Sequence, residues 1–89
     1  MKADYLPGFI KDLKALRGAA AFSKIQKLAF EEVARWDGLE QIAGVKRLRG
    51  YSNAYRIRVG DYRVGFFSDG QKITFARVLH RKEIYRFFP

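Results

Sequence analysis

Residues 55–67 read YRIRVGDYRVGFF, and this stretch decides the architecture of the chain. Apolar side chains alternate with arginines or glycine on either side of Gly60-Asp61, a dipeptide suited to a two-residue turn. The pattern predicts an antiparallel hairpin in which Ile57 lies opposite Val64 and both face a hydrophobic core.

The opposite face of this hairpin collects arginines. Arg58 is expected opposite Arg63, and Arg56 opposite Gly65. Like charges directly opposed in a sheet are unfavourable by up to about 1 kcal/mol, so their clustering favours a bound phosphate backbone. The alternative is an exposed face whose arginines pair with acids elsewhere or protect a strand from aggregation.

A third strand is predicted to begin at Ile73, after a second tight turn at Asp69-Gly70, and to run to about His80. A two-residue loop there places Ala76 beside Arg63. The arginines would then lie over a floor of small residues, namely Gly65, Thr74 and Ala76.

Three further residues of this region have predicted positions. Phe67 falls on the arginine face, where it could stack on an RNA base or be covered by the chain end. Strict alternation brings His80 to the same face. Arg77 falls on the core face and therefore needs a bulge or the end of the sheet.

The N-terminal half has helical periodicity. Pro7 suits a first helical turn, and Arg17-Gly18 suits the end of that helix. A second helical pattern runs from Phe22 to Trp36 and ends at Gly38. Residues 1–6 could form a short edge strand, and a last helical turn is possible near residues 81–87. The predicted fold is α+β, with an N-terminal helical hairpin packed on one face of a three- to four-stranded antiparallel sheet.

The composition narrows the possible functions. The 89 residues, 48% of them apolar, suit a single domain over residues 1–89. Cysteine is absent and there is one histidine, which excludes disulfides and ordinary zinc sites and implies no metal or other cofactor. No signal peptide or membrane-length apolar run is apparent, so we expect a cytoplasmic protein without a membrane partner.

The positive charge is concentrated in one half of the chain. Residues 1–45 carry seven basic and six acidic side chains, whereas residues 46–89 carry eleven basic and three acidic ones. This asymmetry indicates a polyanionic partner, nucleic acid above all, although a solvated basic face is the plain alternative. The residues expected to bind RNA are Lys46, Arg47, Arg49, Phe67, Arg81 and Lys82.

Several segments resemble the RelE/ParE superfamily of toxins from toxin–antitoxin pairs. The most specific are the block YRIRVGDYR and the tail HRKEIY, and FIKDLKAL, KRLRGYSNAYRI and ITFARVLHRKEIYRFFP extend the likeness over nearly the whole chain. The resemblance implies the fold described above and a small antitoxin as partner. RelE-like members cleave mRNA in the decoding site of the ribosome, whereas ParE-like members inhibit DNA gyrase and lack the nuclease residues.

The same resemblance implies roles for individual residues. Arg63 occupies the position of an arginine that contacts the scissile phosphate, and Tyr85 that of a tyrosine implicated in catalysis or base stacking. His80 occupies a position that is histidine in many relatives, and Arg81 lies within a residue or two of another functional arginine. Arg56 and Arg58 stand where some RelE-like nucleases carry lysines, and arginine does not give up a proton.

The chemistry of these residues suits RNA cleavage without a metal. The 2′-hydroxyl can attack the adjacent phosphate if a base, an acid and positive charge are supplied. The arginines supply the charge, His80 could serve as acid or base, and Tyr85 could serve as acid or hold a base by stacking. Glu83 is a weaker alternative base. Alternatively, His80 simply closes a strand and Tyr85 packs in the C-terminal turn.

We therefore expect the catalytic set Arg56, Arg58, Arg63, His80 and Tyr85 in an endoribonuclease that acts on ribosome-bound mRNA. The expected partners are a cognate antitoxin protein, mRNA and the ribosome. Two alternatives remain open at this point: a gyrase-inhibiting toxin without nuclease activity, and a non-toxic basic RNA-binding domain.

Overall fold

The structure is a computed structural model that describes all 89 residues. One five-stranded sheet forms its centre, in the order β1-β5-β4-β3-β2. The strands are β1 (Lys2–Tyr5), β2 (Val45–Arg47), β3 (Ala54–Val59), β4 (Tyr62–Ser68) and β5 (Lys72–His80). The helices are α1 (Pro7–Ala15), α2 (Phe22–Phe30) and α3 (Ile84–Phe87), with short 3-10 segments at Glu32–Arg35 and Leu39–Gln41.

The fold is α+β as predicted, but the sheet differs from the expected three- to four-stranded antiparallel one. The N-terminal residues do form an edge strand, yet β1 pairs in parallel with β5, so the sheet is mixed. Strand β2 was not predicted, because its three residues are too few to display an alternating pattern.

The N-terminal helices also depart from the expected hairpin. Helix α1 begins at Pro7 as predicted and packs on β5. Helix α2 ends at Phe30 instead of continuing to Trp36. The chain tightens into a 3-10 segment there, and the carbonyls of Val33 and Trp36 accept hydrogen bonds from the amino group of Met1. A tertiary contact thus replaces the last turn of the predicted helix.

A hydrophobic core fills the space between the first two helices and one face of the sheet. Helix α1 contributes Phe9 and Leu13, and α2 contributes Ile25 and Leu28. The strand residues of this core include Ile57, Val59, Val64, Phe66, Ile73, Phe75 and Val78. Neither long helix exceeds nine residues, and none is long and apolar enough to span a membrane.

The hairpin between β3 and β4 has the predicted register. Val59 pairs with Tyr62 across Gly60-Asp61, and Arg58 pairs with Arg63. Gly60 has a φ of +57°, which glycine adopts without strain. Alternation in residues 55–67 therefore specified both the pairing and the faces of these strands.

The hairpin between β4 and β5 does not have the predicted register. Ser68 pairs with Ile73, so four residues rather than two form the connection. The carboxylate of Asp69 accepts hydrogen bonds from the backbone N–H groups of Gln71 and Lys72. These bonds take the place of backbone hydrogen bonds between the two strands. These side-chain bonds make the longer loop, and the prediction of a two-residue turn was wrong.

A β-bulge shifts the same pair of strands by one more residue. Phe66 pairs with Phe75 whereas Gly65 pairs with Arg77, so Ala76 is the extra residue. Arg77 lies beside this bulge, one of the two positions expected for it, but it pairs with Gly65, so its predicted place on the core face is wrong. Arg63 consequently lies opposite Leu79 instead of Ala76.

A second, smaller hydrophobic cluster covers the face of the sheet away from α1 and α2. It consists of Ala54, Ala76, Ile84 and Phe88, with Leu48, Phe67 and Leu79 packed against it. Phe88 lies directly over Gly65, where a Cβ atom would come within 2.6 Å of its ring. Two of the small residues expected to form the floor of an open arginine face, Gly65 and Ala76, thus pack against the C-terminal segment instead.

Candidate functional site

Five residues from four parts of the chain line an open groove beside the C-terminal segment. Its volume is about 460 Å³. We call it the arginine groove, and its lining consists of Arg56, Arg63, Arg81, Lys82 and Tyr85. Strands β3 and β4 place the first two, the turn after β5 carries the next two, and α3 presents Tyr85. All five were predicted from the sequence as catalytic or RNA-binding residues.

Backbone carbonyls rather than carboxylates hold the two strand arginines of this groove. Nη1 of Arg63 donates hydrogen bonds to the carbonyl oxygens of Gly60 and Tyr62, at 2.8 and 2.9 Å. Nη1 of Arg56 donates to the carbonyl oxygen of Gly44 at 2.7 Å. The guanidinium groups are therefore oriented while their charges remain unneutralised.

Mutual repulsion among these groups is visible in the electrostatics of Arg63. Burial lowers the pKa of the Arg63 guanidinium, and the positive charges of Arg56 and Arg58 lower it further. Nearby Tyr85 opposes this effect, and Arg81 adds to it. Arginine nevertheless stays protonated at physiological pH, so the cluster is a concentrated positive site that an anion would stabilise.

Carboxylates are nearly absent from the neighbourhood of the groove. Arg56, Arg58 and Arg63 make none of the chain's four ion pairs. Arg81 approaches Asp61 with 3.8 Å between Nε and Oδ1, and both side chains are more than half exposed. An exposed pair of this kind contributes little, so Arg81 also keeps most of its charge available. The contact with Asp61 was not predicted, since a turn residue gives no sequence signal for it.

Tyr85 is the most exposed of the large apolar and aromatic side chains, at 59%. Its neighbours Ile84 and Phe88 are buried in the second cluster and hold α3 on the sheet. The tyrosine is thus presented toward solvent by an anchored helix. The alternative interpretation, in which Tyr85 serves only to pack the C-terminal turn, does not fit this exposure.

His80 lies on the other face of the sheet, so its predicted place among the arginines is wrong. It pairs with Tyr62, and the two rings meet edge to face with centroids 5.7 Å apart. Tyr62 packs on the main core, on the side of the first two helices. The longer loop and the bulge shift the register of β5 by three residues, and an odd shift reverses the faces.

The side chain of His80 instead stabilises the turn that follows β5. Its Nδ1 accepts a hydrogen bond from the backbone N–H of Lys82, and its carbonyl oxygen accepts one from the N–H of Glu83. Glu83 itself pairs with Arg86 at 3.3 Å. The histidine therefore holds the turn that carries two basic residues of the groove, Arg81 and Lys82.

Phe67 does not offer a free face for stacking. Its ring lies 5.1 Å from that of Phe88, centroid to centroid, and packs against the second hydrophobic cluster. The alternative that the chain end covers Phe67 is the one observed, and its predicted role in binding RNA bases is wrong. The sequence could not distinguish the two, because the position of the C-terminal segment depends on the bulge in β5.

The remaining predicted RNA-binding residues lie beside the arginine groove rather than within it. Lys46 pairs with Arg56 across β2 and β3. Together with Arg47 and Arg49 it lines a neighbouring groove that also contains Tyr85. Tyr51 belongs to this second groove as well and was not singled out from the sequence, although an aromatic residue directly after KRLRG is a usable signal.

The fold and the basic site agree with the comparisons to known proteins. The sequence model of the family described as ParE toxin of type II toxin-antitoxin system, parDE, matches residues 4–85. Because this match spans nearly the whole chain, the protein belongs to that family of type II toxins. Within the family it is RelE-like: Toxin RelE3 of Methanocaldococcus jannaschii is 44% identical over 90 residues, and the alignment covers 100% of both chains.

Solved structures give the same result. A chain of the RelB-RelE antitoxin-toxin complex from Methanococcus jannaschii superposes with a TM-score of 0.75 at 42% identity, covering 97% of this chain and 99% of that one. A chain of the Escherichia coli DinJ-YafQ complex gives a TM-score of 0.74 at 15% identity, covering 94% and 97%. The second likeness concerns the fold alone.

Proposed function

We propose that this toxin is an endoribonuclease that cleaves ribosome-bound mRNA in the cytoplasm and so inhibits translation. The observation that carries the proposal is the arginine groove. Arg56 and Arg63 line it without any ion pair, Arg81 makes only a solvent-exposed one, and an exposed tyrosine lies beside them. The 44% identity to Toxin RelE3 supports a RelE-like activity. Membership of a toxin family also argues against the alternative of a non-toxic RNA-binding domain.

The proposed reaction needs no metal, because the arginines supply the positive charge. The 2′-oxygen of a nucleotide attacks the adjacent phosphorus as its proton leaves, forming the new P–O bond. The bond from phosphorus to the 5′-oxygen of the next nucleotide breaks, and that oxygen takes up a proton. Arg63 and Arg56, which line the groove, stabilise the charge that builds on the phosphate oxygens. Arg58 pairs with Arg63 but does not line the groove, so it adds only to the positive field. The products are a 2′,3′-cyclic phosphate, or its 3′-phosphate, and a 5′-hydroxyl.

Two groups that line the groove can exchange a proton during this reaction. Tyr85 has an O–H group and Lys82 an amine that can exchange a proton. The three arginines of the groove, Arg56, Arg63 and Arg81, do not release theirs. We assign Tyr85 as the acid that protonates the leaving oxygen, and the side-chain amine of Lys82 as the acceptor of the 2′-hydroxyl proton. His80 is replaced in this role because it lies on the opposite face of the sheet.

Mapping of mRNA 5′ ends after induction of the toxin tests the proposal. Wild type is expected to produce new 5′-hydroxyl ends within translated regions, and Arg63→Ala is expected to abolish them. His80→Ala should reduce cleavage less than Arg63→Ala does, since it removes no side chain of the groove and only loosens the turn that carries Arg81 and Lys82. Lys24→Ala is the matched control, because Lys24 is an exposed cation on α2. Equal cleavage by wild type and Arg63→Ala would refute the site.

The second candidate function is inhibition of DNA gyrase without nuclease activity. The matching family model carries the description of a ParE toxin, and the groove lacks a histidine or carboxylate among its lining residues. Such a toxin needs the basic surface but no proton transfer. Inhibition of supercoiling by purified gyrase, with mRNA left intact in the induced cells, would select this function over the nuclease.

We also propose a cognate antitoxin as a protein partner. The solved relatives include a RelB-RelE antitoxin-toxin complex. A chain of net charge +9 attracts an acidic or amphipathic segment that covers the arginines. Co-expression with the product of an adjacent gene should restore growth and yield a copurifying complex, and failure of every adjacent product to do so would contradict the proposal.

A further inference from the structure

A second basic groove adjoins the arginine groove, and Tyr85 lines both. Its volume is about 790 Å³. Three cations line it, Lys46, Arg47 and Arg49, and Tyr51 and Tyr85 are its large exposed aromatic residues. No acidic side chain is among its lining residues. The two grooves together therefore form one positive surface, with Tyr85 at their junction.

The cations of this second groove are free to bind an external anion. Lys46, Arg47 and Arg49 are exposed and make no ion pair within the chain. Lys46 lies directly opposite Arg56 in the sheet, so the row of charge passes from one groove to the other without a gap. A groove lined by unpaired cations suits the phosphate backbone of a nucleic-acid strand.

Tyr51 is presented to solvent by an anchored turn. Its backbone N–H donates to the carbonyl oxygen of Leu48 at 3.2 Å, and the N–H of Leu48 donates to the carbonyl oxygen of Ala54 at 2.8 Å. Leu48 packs on the second hydrophobic cluster, while the ring of Tyr51 remains 49% exposed. An exposed aromatic ring beside cations, on a backbone held by hydrogen bonds, is the arrangement on which unpaired bases stack.

We propose that the second groove is an RNA subsite for a nucleotide next to the cleavage point. The strand leaves the arginine groove past Tyr85, its phosphates contact Lys46 and the neighbouring arginines, and a base stacks on Tyr51. The identity of the ligand as RNA rests on the proposed function. The contribution of Tyr51 does not depend on cleavage, because stacking acts on binding.

The test uses a non-cleavable RNA and the complete chain. A series of 2′-O-methyl hexanucleotides, each lacking the base at one position, is titrated by fluorescence anisotropy against wild type, Tyr51→Ala and Tyr51→Phe. In wild type and Tyr51→Phe, one abasic position flanking the cut should weaken binding by about 5- to 100-fold, the worth of one stacked base. Tyr51→Ala should bind the intact hexanucleotide about 5- to 100-fold more weakly than wild type does, by the same factor as the loss of one stacked base. Removing the base at the same position should not weaken the affinity of Tyr51→Ala any further.

Phe30→Ala is the matched control, because Phe30 is an aromatic residue of similar exposure, 44%, on α2. It should bind every hexanucleotide like wild type, and thermal melts should show that all variants fold. An abasic penalty that is the same in wild type and Tyr51→Ala would overturn the subsite, as would wild type failing to bind the intact hexanucleotide. Loss of antitoxin binding by Tyr51→Ala with unchanged RNA affinity would also overturn it and assign the groove to a protein.

A parallel cleavage assay on ribosomes programmed with a defined mRNA separates this inference from the proposed function. One result is an abasic penalty that is present in wild type and absent in Tyr51→Ala, with no cleavage of the ribosomal mRNA. This result would reject the nuclease and keep the subsite. Cleavage together with an abasic penalty that is equal in wild type and Tyr51→Ala would keep the nuclease and reject the subsite.

Discussion

The ring of Phe88 rests on the backbone of Gly65, at a position where any Cβ atom would lie 2.6 Å from Cδ2 of that ring. Phe88 belongs to the cluster that also buries Ile84 and so holds α3 against the sheet. Since Tyr85 projects from α3 into the arginine groove, the geometry of the groove depends on the absence of a side chain at residue 65.

The first prediction concerns Gly65. Gly65→Ala should displace Phe88 and lower the free energy of unfolding by about 1–3 kcal/mol, as overpacking of a filled site does. It should also reduce mRNA cleavage, because α3 moves. Chemical denaturation and 5′-end mapping measure the two effects. Gly18→Ala is the control, since nothing lies within 4 Å of a Cβ at that position. Wild-type stability in Gly65→Ala would show that the C-terminal segment is not seated there.

The second prediction separates the hydroxyl of Tyr85 from its ring. Tyr85→Phe keeps the exposed ring and should bind the 2′-O-methyl hexanucleotide like wild type. Loss of the acid should slow cleavage by about 10²- to 10⁴-fold, the usual contribution of one proton-transfer group. Single-turnover rates on programmed ribosomes provide the measurement. A Tyr85→Phe variant that cleaves at the wild-type rate would show that the leaving oxygen takes its proton from another source.

The third prediction compares two ion pairs of different burial. Asp12 pairs with Arg77 at 2.7 Å, and its side chain is 10% exposed. Asp4 pairs with Lys72 at 2.9 Å but is 62% exposed. Asp12→Asn leaves a partly buried guanidinium without its partner, whereas the exposed pair is screened by solvent.

Asp12→Asn should therefore lower the free energy of unfolding by about 1–3 kcal/mol, and Asp4→Asn by less than about 0.5 kcal/mol. The carboxylate of Asp12 also accepts a hydrogen bond from the N–H of Val78, which adds to the difference. Urea denaturation of both variants provides the measurement. Equal losses of unfolding free energy would contradict the conclusion that Asp12 anchors α1 on β5.

The fourth prediction concerns pH and the loop between β4 and β5. Hydrogen bonds from the N–H groups of Gln71 and Lys72 lower the pKa of the Asp69 carboxyl below its ordinary value. A carboxyl whose pKa is lower in the folded state stabilises the protein at neutral pH, and this contribution disappears as pH falls through the folded-state pKa. Asp69→Ala should thus be less stable than wild type at pH 6, and the gap should narrow below about pH 4. A gap that is constant with pH would exclude ionisation as its cause.

The hairpin of β3 and β4 is the part of the fold that the sequence predicts best. Alternation in residues 55–67 and the turn at Gly60-Asp61 specify a local pairing with few alternatives, so the opposition of Arg58 and Arg63 was predictable. The residues of the arginine groove were predictable for the same reason, together with the resemblance of the C-terminal tail. The catalytic and RNA-binding roles of these residues remain predictions.

The pairing of β5 with β4 shows where that reasoning stops. The position of His80 depends on hydrogen bonds of Asp69 in the loop and on the bulge at Ala76, and neither follows from alternation. The position of Phe67 depends on Phe88, which is 21 residues away in sequence. Contacts of this kind form only after the chain has folded back on itself.

The sequence by itself determined the α+β class, the basic half of the chain and the face shared by Arg56, Arg58 and Arg63, because period-two alternation and tight turns act between near neighbours. Only the tertiary structure decided that the sheet is mixed, that His80 lies on the opposite face, and that Tyr85 separates two grooves. Those outcomes depend on one register shift and on the docking of the C-terminal segment, whose energies come from packing between distant residues.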